Sequence, residues 1–195
     1  NRDNVTLVDV RATPIQEITA TGMRTTEQEY ELDCIVFATG FDALTGPLLR
    51  MNIQGRDGAT LRDRWAEGPK TYLGLQVAGF PNMFTITGPG SPSVLTNMPT
   101  CIEQHVDWIT DVLEYARDGG LTRIETTEAA EQGWGEEVQR AADRTLLPRA
   151  STSWYLGANV PGKPRVFMPY AGGMASYAST CTDVAKDGYR GFVMA

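Results

Sequence analysis

The chain has 195 residues, 42% hydrophobic and 21% charged, with 24 Asp plus Glu against 17 Lys plus Arg and a formal charge of −7. That composition suits a soluble globular protein of one domain, or of one plus a fragment of another, and it argues against a disordered chain and a basic binder of phosphate backbones. No apolar run approaches the roughly 18 residues of a membrane span. The three cysteines, at 34, 101 and 181, are too far apart for a zinc knuckle and too few for a disulfide scaffold. The expectation is a reduced, cytoplasmic protein with no metal, no nucleic-acid partner and no membrane partner. Asn1 rather than Met opens the chain, and no signal peptide follows, so an internal start in a longer chain is expected.

The first forty residues read as β structure. Val5, Leu7, Val8 and Val10 form an apolar run closed by Pro14, Ile15 and Ile18 make a second strand, Gly22 marks a turn, and Tyr30 and Leu32 lead into a third. Cys34 to Ala38 is a continuous apolar run ended by Thr39-Gly40, the pattern of a strand buried on both faces in a parallel sheet. Residues 41–70 are rich in loop formers. Tyr72 to Ala78 and Met83 to Thr87 are further strand candidates.

The second of these stops at Gly88-Pro89-Gly90-Ser91-Pro92-Ser93 and is followed by the strongest helical pattern in the chain. Ile102, Val106, Ile109, Leu113 and Ala116 recur at intervals of four and three, which places them on one apolar face. Thr100 to Glu103 fits a capping box, Asn97 offers an alternative cap with Pro99 in the first turn, and Gly119-Gly120 is a stop. A second helix is expected from Glu128 to Arg144, with Ala130, Trp134, Val138 and Ala141 inward. Residues 148–164 read as a structured loop, Arg165 to Met168 as a strand, Ala175 to Lys186 as a helix stopped by Gly188, and Tyr189 to Met194 as a last strand.

Two places could carry chemistry. Gly40, at the end of an apolar strand, lets backbone approach a ligand without an intervening Cβ, although a plain strand-to-loop turn has the same sequence. The loop at 88–100 leads from strand to helix and aims free backbone N–H groups outward. It has neither the Gly-Lys-Ser/Thr of a Walker loop nor a third glycine for GxGxxG, so a delocalised anion such as a reduced flavin edge suits it better than a phosphate. An ordinary strand–helix connection is the competing reading. Trp154 lies among Tyr155, Gly157, Asn159, Pro161 and Lys163, and can offer a ring face and one N–H donor or simply anchor its loop. Trp65, Trp108 and Trp134 read as packing residues, His105 as partly buried or on the surface of its helix, and the acidic clusters at 27–31 and 128–137 as solvated faces. A part of a nucleotide-cofactor enzyme and a non-catalytic binding domain both remain open on these residues.

Taken in order, several segments together resemble the C-terminal part of the flavin-dependent Baeyer–Villiger monooxygenases, in particular their phenylacetone monooxygenase-like group. The matching segments are Asn1 to Val5, Phe37 to Asp42, Gly88 to Ser93, Ile102 to Val106, Ser153 to Tyr155, Gly157 to Arg165 and Gly188 to Phe192. The resemblance implies an α/β fold, the C-terminal portion of a flavoprotein with two Rossmann-like dinucleotide-binding domains and a helical subdomain. Residues 1–40 would end the NADP-binding domain and 41–195 would belong to the FAD-binding domain. The implied activity uses FAD, NADPH and O2 to insert one oxygen into a ketone, giving an ester or lactone. An N- or S-oxygenating flavin monooxygenase is the alternative. By the same resemblance Met98 would face FAD through its backbone, with Asn97, Gly40 and Asp42 also on the cofactor side. Trp154 would contact NADP, and Ser93, Val94 and Leu95 would line the substrate side. No catalytic residue is expected among these residues, because the family's active-site Arg would lie upstream. The remainder of the parent chain is the expected partner.

Overall fold

The computed structural model describes residues 2–195. They divide into two compact units, residues 2–40 and Phe41–Ala195.

In the first unit β1 (Ile15–Thr19), β2 (Gly22–Thr25) and β3 (Glu29–Glu31) form an antiparallel sheet in that order. The turn between β1 and β2 is two residues long, with Thr19 opposite Gly22. Gly22 is required by close approach, since a Cβ there would stand 1.9 Å from the Tyr30 carbonyl oxygen. Glu17, Arg24 and Glu29 lie side by side across the three strands, and Arg24 reaches the two carboxylates at 3.0 and 3.2 Å. Opposite charges in register favour this pairing, though weakly, because all three are exposed. The runs at Val5–Val10 and Cys34–Ala38, read as strands, are not strands here, and Leu7, Val36 and Phe37 are largely exposed. A strand exists only with hydrogen-bonded neighbours, and among the described residues nothing pairs with either run.

The second unit begins with the short helices α1 (Gly46–Arg50) and α2 (Leu61–Arg64), which pack Leu48 and Leu61 against Trp65, Val77 and Phe80. Residues 72–87 are not the two expected strands. Tyr72 pairs with Gln76 and Gln76 with Phe84 only as isolated bridges. Left-handed Leu73 (φ 58°) and Gly74 (φ 71°) fold the chain into a tight turn, with the Tyr72 N–H donating to the Gln76 carbonyl at 2.8 Å. This irregular segment is nonetheless deep core, with Leu73, Leu75 and Val77 fully buried.

Around it pack α3 (Met98–Asp118), α4 (Glu128–Asp143) and α5 (Met174–Lys186), and the antiparallel pair β4 (Ile124–Thr126) and β5 (Phe192–Met194). α3 is capped by Asn97, whose Oδ1 accepts the Thr100 N–H, so the earlier of the two possible starts is used and the Thr100 capping box is not. Its buried face differs from the expected one. Cys101, His105, Trp108, Val112 and Ala116 point inward, whereas Ile102, Val106 and Leu113 are exposed and Ile109 is half-buried. α4 starts at the Thr127 cap and buries Trp134, Val138 and Ala141 as expected, and α5 buries Tyr177, Cys181 and Val184. Trp65, Trp108 and Trp134 are packing residues, each no more than 6% exposed. Arg165–Met168 is not a strand. It is an extended segment whose Val166 and Met168 N–H groups donate to the Leu156 and Tyr155 carbonyls. Every named strand pairing is antiparallel, so the mixed α/β character consists of helices and small antiparallel sheets. No helix among the described residues is long and apolar enough to cross a membrane.

Candidate functional site

The loop before α3 is built on backbone strain and multiple anchors. Thr87 (φ 54°), Gly90 (φ 87°) and Ser93 (φ 46°) are all left-handed. Such a conformation in a β-branched residue persists only where the surroundings over-determine it. Here the Thr71 hydroxyl donates to the Pro89 carbonyl, the Trp134 indole N–H to the Gly90 carbonyl and the Gly90 N–H to the Met168 carbonyl. The Tyr170 N–H donates to the Ser91 carbonyl, and the Thr87 N–H to His105 Nδ1.

The loop ends in a single 3-10 turn, Ser93–Leu95, which separates three residues grouped by the resemblance. Ser93 is buried, and Leu95 packs against the small cluster of Ala142, Leu156 and Phe167. Val94 is half-buried and belongs to none of the apolar clusters. Thr96 and the exposed cap Asn97 follow, and Met98 begins α3 half-buried. The first turn of α3 has no acidic side chain, so the positive end of a 21-residue helix is left uncompensated.

Trp154 opens a second 3-10 turn, Trp154–Leu156, capped by Ser153. Its ring is half-buried, meets Tyr155 edge-on at 4.5 Å, and its indole N–H makes no hydrogen bond among the described residues. Tyr155 and Leu156 join the same cluster as Leu95, so the fold brings the 93–95 turn and the Trp154 turn onto one apolar seat. The loop after Trp154 is tied down by Asn159, which donates to the Phe41 carbonyl at 3.2 Å, and by Lys163, which pairs with Asp42 and donates to the Ala43 carbonyl. Asp42 is thus engaged in a structural ion pair. Gly40 is left-handed, with open space where a Cβ would be, and it belongs to the other unit.

Two polar groups differ from the sequence reading. His105 is completely buried rather than partly exposed, and burial pulls its pKa down to about 4. Glu131, expected on a solvated face, is 3% exposed. One carboxylate oxygen accepts the Ala78 N–H and the other pairs with Arg64, both at 2.6 Å. Burial raises its pKa, opposed by the Ala78 amide and by Arg64. Among the described residues no cluster of His, Cys, Asp or Glu is arranged to hold a metal. A cavity of about 500 Å3 lies between α4 and the 64–71 and 166–168 segments, lined by Arg64, Lys70, Glu131, Val138 and Phe167, and neither Ser93–Met98 nor Trp154 lines it.

No family model matches the chain. It is 42% identical over 193 residues to cyclohexanone 1,2-monooxygenase from Acinetobacter sp., covering 98% of the chain and 35% of that protein. It is 40% identical over 195 residues to phenazine N-monooxygenase from Lysobacter antibioticus, covering 100% and 36%. Among solved structures, an oxidized steroid monooxygenase bound to NADP superposes with a TM-score of 0.87 at 52% identity, covering all of this chain and 36% of that one. This chain is related to the Baeyer–Villiger monooxygenases. OTEMO in complex with FAD and NADP matches with a TM-score of 0.89 at 44% identity, covering 100% of this chain and 35% of that one. The chain spans about a third of the length of these relatives. Its α/β fold is that of the matching third of OTEMO, a protein solved with FAD and NADP.

What the sequence reading missed in these Baeyer–Villiger-like residues was the buried polar wiring. For His105 a signal existed: it stands four residues after Cys101 and three before Trp108, on a second helical stripe.

Proposed function

We propose that this chain forms part of an FAD- and NADPH-dependent Baeyer–Villiger monooxygenase, which inserts one atom of O2 into a ketone to give an ester or lactone. The observation that carries this reading is the convergence of the 93–95 turn and the Trp154 turn on one apolar cluster, with the cap of α3 two residues after the first of them. The residues present fit the cofactors. The acid-free N-terminus of α3 suits negative charge on a flavin, and the half-buried Trp154 offers a ring face and a free N–H to a nicotinamide ribose. When bound, the two cofactors supply hydride transfer and oxygen activation. The chain's own part is to orient them and to exclude water. Asn97 holds the first turn of α3 in place, and Met98 offers its backbone beside it. Of Ser93, Val94 and Leu95, the turn gives Val94 to the substrate side, with Ser93 buried and Leu95 seated in the apolar cluster behind it, and residues 1–40 end the NADP-binding domain while 41–195 belong to the FAD-binding domain. Gly40 and Asp42 stand on the cofactor side, with Asp42 also securing the Trp154 loop through Lys163.

The test uses the full-length protein with NADPH, O2 and an aryl ketone. An ester carrying one atom from 18O2 is the expected product. Exclusive formation of N-oxide or sulfoxide from competing amine and sulfide substrates would overturn the ketone reading in favour of the chemistry named for the phenazine relative.

Two variants probe the division of labour. Trp154→Ala should lower kcat/KM for NADPH by about 1–3 kcal/mol, roughly five- to 150-fold, while bound flavin per chain stays constant. Steady-state kinetics beside the flavin absorbance check it, and unchanged kinetics would count against a cofactor role. Val94→Phe should shift the kcat/KM ratio of a small to a bulky ketone by tens of fold with little change in melting temperature, because a methylene or two is worth about 1–3 kcal/mol of discrimination. Leu95→Ala should instead cost about 2 kcal/mol of stability, the low end for leucine since the side chain is half-buried.

A further inference from the structure

The buried face of α3 meets both strained ends of the Thr87–Ser93 loop. Cys101 and His105 lie one turn apart on that face. The Ser93 backbone amide approaches the Cys101 thiol. His105 Nδ1 accepts the Thr87 N–H at 2.9 Å, and this fixes the tautomer. Nε2 then carries the proton and donates to Tyr177 Oη at 2.9 Å, and the Tyr177 hydroxyl donates to the Leu73 carbonyl at 2.6 Å. One chain of three hydrogen bonds thus runs from left-handed Thr87 through α3 and α5 to left-handed Leu73. Only a group that accepts on one side and donates on the other from a rigid frame can close it, and a neutral imidazole does so.

We propose that His105 is the positioning residue of the Thr87–Leu95 loop: by holding Thr87 against α3 and α5 it sets the pose of Ser93, Val94 and Leu95 and so the choice among ketones. The selectivity half rests on the function proposed above; the positioning half does not. His105 has no path to a substrate, being wholly enclosed, and acts only through the loop.

The full-length protein and its His105→Leu, His105→Asn and Tyr177→Phe variants test this by hydrogen–deuterium exchange and by kcat/KM for a small and a bulky ketone. His105→Leu keeps the volume and removes the acceptor. It should raise exchange in residues 86–96 by about tenfold or more, leave α4 unchanged, and shift the ketone ratio by about tenfold at constant flavin content. His105→Asn restores an acceptor near Nδ1 and should return residues 86–90 toward wild-type exchange. Exchange unchanged in His105→Leu, raised equally in α4, or not restored by asparagine would overturn the proposal. If His105→Leu does not accumulate folded, Tyr177→Phe carries the test, since it removes one hydroxyl and keeps the ring. Faster exchange in 86–90 and 72–75 is then expected, and wild-type exchange there overturns the proposal. Loop exchange that responds as expected in a protein that oxidises no ketone would remove the monooxygenase reading and leave the positioning role standing. An unchanged ketone ratio beside a loosened loop would remove the selectivity role alone.

Discussion

Glu131→Ala should destabilise the unit formed by residues 41–195 by about 2–4 kcal/mol, with little change in the denaturant m-value. Glu131 Oε1 accepts the N–H of buried Ala78, and Oε2 pairs with Arg64, whose side chain is 26% exposed. Truncation leaves the Ala78 N–H without a partner, a cost of about 1–3 kcal/mol, and removes a charge-assisted bond. Arg64 is not stranded, because it is near enough to water and to Glu128, at 3.6 Å, to be resolvated, so the loss stays below that of a fully buried ion pair. Glu131→Gln keeps an acceptor for Ala78 and should recover about half the loss. Urea titrations of the three proteins decide this. Equal losses in the alanine and glutamine variants would mean that charge, not the Ala78 amide, is what matters.

The neighbouring amide is held the same way. Glu125 on β4, 7% exposed, accepts the Gly79 N–H at 3.0 Å and pairs with Arg56 at 2.7 Å. Two buried glutamates therefore grip consecutive backbone amides of the turn that joins the α1–α2 cluster to the main core. Nothing in the sequence around Glu131 announces this, since its partners lie 53 and 67 residues away, and an acidic stretch reads as solvated surface until the fold supplies them.

Helix α4 was legible because one stripe of it is apolar, and α5 because Gly188 stands just past its end as a stop. α3 was legible in extent but not in rotation. It carries two stripes, and the more hydrophobic one, Ile102, Val106 and Leu113, is the exposed one. The stripe that packs contains Cys101, His105 and Trp108, whose worth lies in aromatic contacts with Tyr177, Tyr189 and Phe192 and in hydrogen bonds that hydropathy does not register. The apolar runs at 5–10 and 34–38 show the opposite failure. Their β-propensity is real, but pairing is a property of neighbours, and no described residue supplies any. At the candidate site the cap Asn97 was legible only as one of two candidates, beside the Thr100 capping box that the structure does not use. The split between inward Leu95 and freer Val94 could not be read, because it depends on the left-handed turn at Ser93, where no glycine marks the position.

Acidification should weaken the unit formed by residues 41–195 through His105, by an amount of about 3 kcal/mol between pH 6.5 and 4. The imidazole is wholly buried, and desolvation lowers its pKa from 6.5 to about 4. The groups that face it are Cys101 on its own helix and Tyr177 on α5, with Cys181 beside Tyr177, and burial raises the pKa of all three, so none is an anion that would hold a proton on His105. The unfolded chain binds a proton at this histidine below pH 6.5, whereas the folded chain does not until about pH 4. Stability therefore falls as pH drops through that window, at up to 1.4 kcal/mol per pH unit. Protonation of Nδ1 would also abolish the acceptor for the Thr87 N–H, so the loop before α3 loosens first. Glu131 acts in the opposite sense. Its pKa is raised from 4.5 by burial, so its contribution is present below that value and is lost as pH rises through the folded one. The two are separated by comparison with His105→Asn, which cannot titrate. Denaturation free energies of wild type minus variant, measured from pH 7 to pH 4, should fall toward acid with the slope of one proton. A difference that stays flat across this range would mean that His105 is hydrated and charged in the folded protein, and that the hydrogen-bond chain from Thr87 to Leu73 is not closed through it.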